Sequence, residues 1–183
     1  MSFARVRALV VIGVLTIAAV VFVITALVRD SQHDAIASGC PAGSVMADVS
    51  LPDNQSEVTV RVFNGTTRAG LADAINTEVA NRGFHTQKPT ENKKKFTGVA
   101  QLRYGPAAVG SAHLLRAYFL NQIERTDLQY DPKRKGTVVD VVIGSRYQSL
   151  ATTTEVNQSL VEIGEPAIPP GACPEKKKPA KQG

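Results

Sequence analysis

The chain of 183 residues has no tryptophan, two methionines, two cysteines and three histidines, and aromatic residues make up only 5% of it. Two cysteines are too few for a four-cysteine or a two-cysteine, two-histidine zinc site, and too few for a disulfide-dense miniprotein. The histidines, His33, His85 and His113, fall on separate segments, and no HExxH, GxSxG, GxxxxGK[ST] or DxDxDG pattern occurs. Asp73 with Glu78, and Glu124 with Asp127, are spaced as solvated helix charges rather than as an acid and base pair. No GxGxxG is present, which excludes a dinucleotide site of the usual kind. The expectation is therefore no enzyme, no cofactor and no metal. Without an internal repeat, this length leaves room for one ordinary core with segments attached to it.

The apolar residues are unevenly spread. Residues 8–28 hold 18 apolar residues in 21 and no charge. A helix of that length rises about 30 Å, the thickness of a bilayer hydrocarbon core. Arg5 and Arg7 precede it, while Arg29 and Asp30 cancel after it. The positive-inside bias then leaves residues 1–7 in the cytoplasm and the bulk of the chain outside it. A cleaved signal peptide is the competing reading, suggested by Ala35-Ile36-Ala37 and by Ala37-Ser38-Gly39-Cys40. The apolar stretch is longer than the roughly 7–15 residues of a signal core, however. The polar run 29–34 also separates it from either cleavage site. The expectation is an uncleaved, single-pass anchor in the cell membrane. Cys40 and Cys173 would then share an oxidising compartment, where pairing is the default, and are expected to form a disulfide.

Residues 29–57 read as a polar stalk and residues 164–183, with five prolines and a lysine-rich end, as a tail. Between them the periodicity is that of a folded domain. Val58–Phe63 alternates apolar and polar as a half-buried strand does. Leu71, Ile75 and Val79 recur at helical spacing, and Arg82 with Gly83 ends that helix. A short strand around residues 84–87 and a polar loop over residues 88–98 follow. Next come a strand at residues 99–104, a helix over residues 108–123 and a brief strand at residues 128–130. Residues 138–143 form the most apolar strand, broken only by Asp140, which argues for a central place in the sheet. Residues 151–163 add a further helix, capped by Thr152 or Thr153. The order β-α-β-β-α-(β)-β predicts an α+β two-layer sandwich with the helices on one face, preceded by a single transmembrane helix.

Val60-Arg61-Val62-Phe63-Asn64-Gly65-Thr66-Thr67-Arg68-Ala69-Gly70-Leu71-Ala72 resembles the V-x-V-x-N-G-T-x-x-x-G-L-A opening of the LytR C-terminal domain family. Arg103-Tyr104-Gly105-Pro106 and the apolar strand ending at Gly144 agree with it in the right order. The resemblance assigns residues 58–150 to such a domain. It implies a cell-envelope accessory or binding module, without the phosphotransferase domain that this one often follows. One position departs from the pattern. Gly144-Ser145-Arg146-Tyr147 has arginine where the family usually carries an acid.

The loop Asn64, Gly65, Thr66, Thr67, Arg68 joins a strand to a helix N-terminus, where free N–H groups and the dipole favour an anion. Asn64 and Gly65 suit positive φ there. Residues 58–163 carry 14 lysines and arginines against nine acids, the whole net excess of five, because the flanks at −2 and +2 cancel. The charge concentrates at Lys93, Lys94, Lys95 and at residues 133–135. If the strand order holds, the 64–70 and 88–98 loops lie at one end of the sheet and form a candidate ligand-binding surface for a polyanion. An outward-facing domain excludes nucleic acid and leaves cell-wall glycan as the available partner. The expected function is a non-enzymatic, membrane-anchored envelope protein that binds cell-wall glycan or recruits wall-assembly proteins. The alternative is a pure protein–protein scaffold in a membrane complex.

Overall fold

A computed structural model describes residue 7, residues 12–23, residue 40 and residues 43–175. The chain divides into two units, Met1–Ala42 and Gly43–Gly183. In the first, residues 12–23 are helical (α1), and Ile12, Leu15 and Ile17 are 60%, 64% and 66% exposed. The Thr16 hydroxyl donates to the Ile12 carbonyl oxygen at 2.8 Å, so the helix shows no unsatisfied hydroxyl there. Among the described residues no helix is long and apolar enough to cross a membrane. Of the expected span 8–28, residues 8–11 and 24–28 lie outside the described residues, as does the 35–37 triplet.

The second unit begins with β1 (Val45–Ala47), β2 (Thr59–Asn64), α2 (Leu71–Asn81), β3 (His85–Thr86), β4 (Thr90–Glu91) and β5 (Ala100–Tyr104). It continues with α3 (Val109–Tyr118), β6 (Leu128–Tyr130), β7 (Val138–Ile143), α4 (Thr153–Ile163) and β8 (Ala172–Pro174). The main sheet has the order β3-β2-β7-β5-β6, and β4 adds to β2 beyond β3. Neighbours are parallel except β5 with β7. Register explains why β7 is so apolar. Val60 lies opposite Val139, Val62 opposite Val141 and Leu102 opposite Val141, and all of these are buried. Val142, on the other face of the pleat, is buried as well. A strand flanked on both edges and covered on both faces cannot show a clean alternation.

Val60, Val62 and Val141 from the sheet meet Ile75 and Val79 of α2 and Leu115 of α3 around one small internal space, so both helices cover the same sheet face. Each such aliphatic side chain contributes about 1.5–3 kcal/mol on full burial. Helix α4 packs on α3 rather than on the sheet. It starts with a capping box in which the Thr152 side chain accepts from the Glu155 N–H and Glu155 Oε2 accepts from the Thr152 N–H at 2.7 Å. Over residues 59–143 the expected order β-α-β-β-α-(β)-β is present with one addition, β4, which occupies part of the segment expected to be a plain polar loop.

Two further differences have physical causes. Helix α3 stops at Tyr118 instead of residue 123, because Leu120 and Asn121 take left-handed φ of 53° and 55° and their N–H groups bond back to Ala117 and Arg116. No glycine or proline announces that stop. Residues 43–57, expected within the stalk, build into the domain: Ala47 is wholly buried and β1 pairs in parallel with β8, from the expected tail. The Asp48 N–H donates to the Pro106 carbonyl oxygen and the Gly110 N–H to that of Asp48, at 2.9 and 3.1 Å, tying β1 to the start of α3. Both cysteines are disulfide-bonded, and with two in the chain the bridge is Cys40–Cys173. It lies beside the register pair Met46 and Cys173.

Candidate functional site

The junction between β2 and α2 is built around Asn64, which is 1% exposed. Its Oδ1 accepts from the Thr66 N–H at 2.9 Å and the Thr66 hydroxyl at 2.8 Å. Its Nδ2 donates to the Arg68 carbonyl oxygen at 2.7 Å and to Glu91 Oε1 at 3.0 Å. Thr66 Oγ1 in turn accepts from the Arg68 N–H at 3.0 Å. Both amide atoms of Asn64 are thus spent inside the protein, as burial demands. Asn64 and Thr66 shape the loop and do not present themselves to solvent.

Gly65 departs from the expectation of positive φ: the left-handed residue is Gly70, φ 71°, which begins α2 with no side-chain cap. Gly65 is glycine for a different reason. The Gly65 N–H donates to the Ile143 carbonyl oxygen at 2.9 Å, and a Cβ there would lie 2.6 Å from that same oxygen. Gly65→Ala is accordingly expected to cost about 2 kcal/mol through displaced backbone. Gly70→Ala, with open space around it, should lose only about 1 kcal/mol for its φ. Urea unfolding of the two variants checks the difference, and equal losses would contradict the close-approach account.

The lysine loop docks on this junction. The Asn92 N–H donates to the Asn64 carbonyl oxygen at 2.9 Å, the Phe96 N–H to that of Gly65 at 2.7 Å, and Lys95 Nζ to that of Thr66. The Phe96 side chain lies so close to Gly65, Gly98 and Gly144 that a Cβ at any of them would fall within 3.0 Å of it. Small residues on three segments therefore seat one aromatic plug. All eight expected residues, Asn64 to Arg68 and Lys93 to Lys95, lie in these two abutting loops. Asn64, Gly65, Thr66 and Lys95 form the framework. Thr67, Arg68, Lys93 and Lys94 face solvent, and none of these three cations forms an ion pair among the described residues.

Sequence reading missed the charged centre on the sheet face opposite the helices. Asp140 is 5% exposed and lies in register opposite Arg61 on β2 and Arg103 on β5. Arg61 grips it with Nε to Oδ1 at 2.9 Å and Nη2 to Oδ2 at 3.0 Å, and Arg134 Nη1 reaches Oδ2 at 2.9 Å. Burial works to raise the Asp140 pKa, but hydrogen bonds from Arg134 and Arg61 and their charges override it and hold the carboxyl below its ordinary value. The basic run 133–135 is thus divided, with Arg134 turned inward. The signal available in the sequence was an acid inside an apolar strand, with Arg61 at the middle of the neighbouring one. Arg146, which replaces the usual acid, donates from Nε to the Thr97 carbonyl oxygen at 3.1 Å and pairs with Glu124 at 3.2 Å, pinning the end of the lysine loop.

His113 donates from Nε2 to the Gly164 carbonyl oxygen at 2.8 Å, and burial lowers its pKa. His85 is exposed on β3. No cluster of three metal-ligating side chains occurs among the described residues.

These features define a mixed α/β domain whose first strand enters its first helix through an Asn-Gly-Thr junction locked to the closing strand. Residues 57–147 match the family described as LytR cell envelope-related transcriptional attenuator, and this domain of the chain belongs to that family. A similar solved structure is the soluble domain of a conserved hypothetical secreted protein from Mycobacterium marinum. It is 22% identical, with a TM-score of 0.48 over 62% of this chain and 80% of that one. No curated protein matches the chain.

Proposed function

We propose that the chain is a non-enzymatic envelope protein, anchored by residues 8–28 with its N-terminus in the cytoplasm, whose outer domain binds cell-wall glycan or recruits wall-assembly proteins. The family is a cell-envelope one. An apolar N-terminal segment followed by a domain of this family is also similar to the arrangement in the mycobacterial cell envelope integrity protein Cei. Helix α1 supports the anchor, since its aliphatic side chains lie open around an uncharged stretch, as they do where the solvent is lipid.

The observation that carries the binding role is the solvent-facing set Thr67, Arg68, Lys93 and Lys94, fixed at one end of the sheet by backbone hydrogen bonds. Three cations that form no ion pair among the described residues, beside an uncapped helix start, form a platform for wall phosphate, uronate or muramyl carboxylate. Since these side chains contact little, Arg68→Ala/Lys93→Ala/Lys94→Ala should leave the melting temperature unchanged. Co-sedimentation of the full chain, in detergent micelles, with isolated cell wall should fall about tenfold in that variant. Binding of the wild type should weaken with added salt as exposed charges are screened. Failure of the wild type to bind wall material, lipid-linked glycopolymer and wall-ligase ectodomains would sink the reading.

A further inference from the structure

A cavity of about 450 Å³ opens between α3, the β5–β6 edge and residues 164–170. That is within the roughly 300–1,000 Å³ of small-molecule sites. Tyr104 and Tyr130 line it with ring centroids 6.0 Å apart and planes at 53°. Arg116 and Arg125 line it too, and neither forms an ion pair among the described residues. Two polar atoms of this wall, the Tyr130 hydroxyl and Arg116 Nε, are sealed from solvent with no hydrogen-bond partner. Buried polar groups nearly always have one, so this wall carries donors waiting for an acceptor.

The segment 165–170 supplies part of the cavity wall. It carries Pro166, Pro169 and Pro170 and is bounded by Gly164 and Gly171, with φ of 65° and 77°. Prolines stiffen the strap, while the two glycines leave its ends free to rotate. It is held by the His113 to Gly164 bond and by the Ala172 N–H donating to the Pro169 carbonyl oxygen at 3.1 Å. Both sealed donors belong to residues that line the cavity.

We propose that this cleft is a binding site for a carboxylated sugar. The carboxylate takes the Arg116 fork and the Tyr130 hydroxyl, the ring lies against the tyrosine faces, and sugar hydroxyls donate to Glu165, which lines the same cavity. Glu165 also selects against a dianion, so phosphate is the poorer ligand. The proposal deepens the glycan-binding reading above and rests on it for the choice of a sugar over a simple carboxylate.

The test is isothermal titration of the full chain in detergent micelles with N-acetylmuramic acid. N-acetylglucosamine, which lacks the carboxylate, lactate, which lacks the ring, and inorganic phosphate serve as controls. Saturable binding of N-acetylmuramic acid is expected, with each control at least about tenfold weaker. Arg116→Gln and Tyr130→Phe should each weaken binding about fivefold or more. Tyr130→Phe should melt no lower than the wild type, because the lost hydroxyl bonds nothing in the free protein. No heat signal at about 10 mM sugar, a control bound as tightly, or full affinity in Tyr130→Phe would each overturn the site. Loss of sugar binding with wall co-sedimentation intact removes this site alone. Loss of co-sedimentation with sugar binding intact removes the sheet-end platform alone.

Discussion

Replacing Cys40 and Cys173 together by serine is expected to lower the unfolding free energy by about 3–5 kcal/mol, the largest effect of any change considered. The bridge closes a loop of about 134 residues, which contains the whole of the sheet and its helices. In the chain-entropy account, a loop that long denies the unfolded chain roughly 5 kcal/mol of freedom, and strain or residual structure can only reduce that figure. The folded state loses little in direct contacts, since β1 and β8 keep their backbone register without the sulfurs. The loss should therefore appear mainly as a shift in urea midpoint, with the native fold retained. Non-reducing mass spectrometry identifies the bridge, and an unchanged midpoint in the double variant would refute its stabilising role.

Asp140→Ala should cost about 3 kcal/mol. Removing the one acid strands two guanidiniums against a covered sheet face and deletes three charge-assisted hydrogen bonds. The figure stays at the low end for a buried pair because the Arg61 and Arg134 side chains retain 38% and 21% exposure and can be partly rehydrated. The sign with pH follows from the depressed pKa. A carboxyl held below its ordinary value of 3.8 contributes stability that is present above that value and lost as pH falls through the lower folded one. Glu155, whose pKa the Thr152 hydrogen bonds also lower, adds a dependence of the same sign. Acid unfolding of the wild type should therefore begin below about pH 4, and Asp140→Asn should flatten that part of the curve. Identical acid profiles for the two proteins would count against the assignment.

What could be read from the residues alone divides along the range of the interactions. The alternation in Thr59–Asn64, the spacing of Leu71, Ile75 and Val79, and the Thr152 and Glu155 box act within a few residues, so each is visible in the sequence. Strands β1, β4 and β8 are two or three residues long and exist only through their partners, so neither composition nor period announces them. The end of α3 is set by the left-handed Leu120 and Asn121, a stop that leaves no proline or glycine behind. At the sheet end, the same residues that suggested a ligand loop are there, yet tertiary contact decides which side chains remain open. Asn64 looked like a turn residue and is a fully bonded buried amide. Gly65 looked like a φ > 0 position and is a site of close backbone approach. The Tyr104–Tyr130 cleft was out of reach altogether, since its lining is gathered from segments spread between Tyr104 and Pro170.

The clasp of β1, β8 and the disulfide also fixes how the domain bears load. Residues 41–172 lie between the two bridged cysteines and include every strand of the main sheet. A pull between the N-terminal segment and the C-terminal end therefore runs through one covalent crosslink and bypasses every hydrogen bond of the main sheet. Tension on the two ends of this protein stretches a sulfur–sulfur bond and leaves residues 43–172 as a slack, unloaded loop.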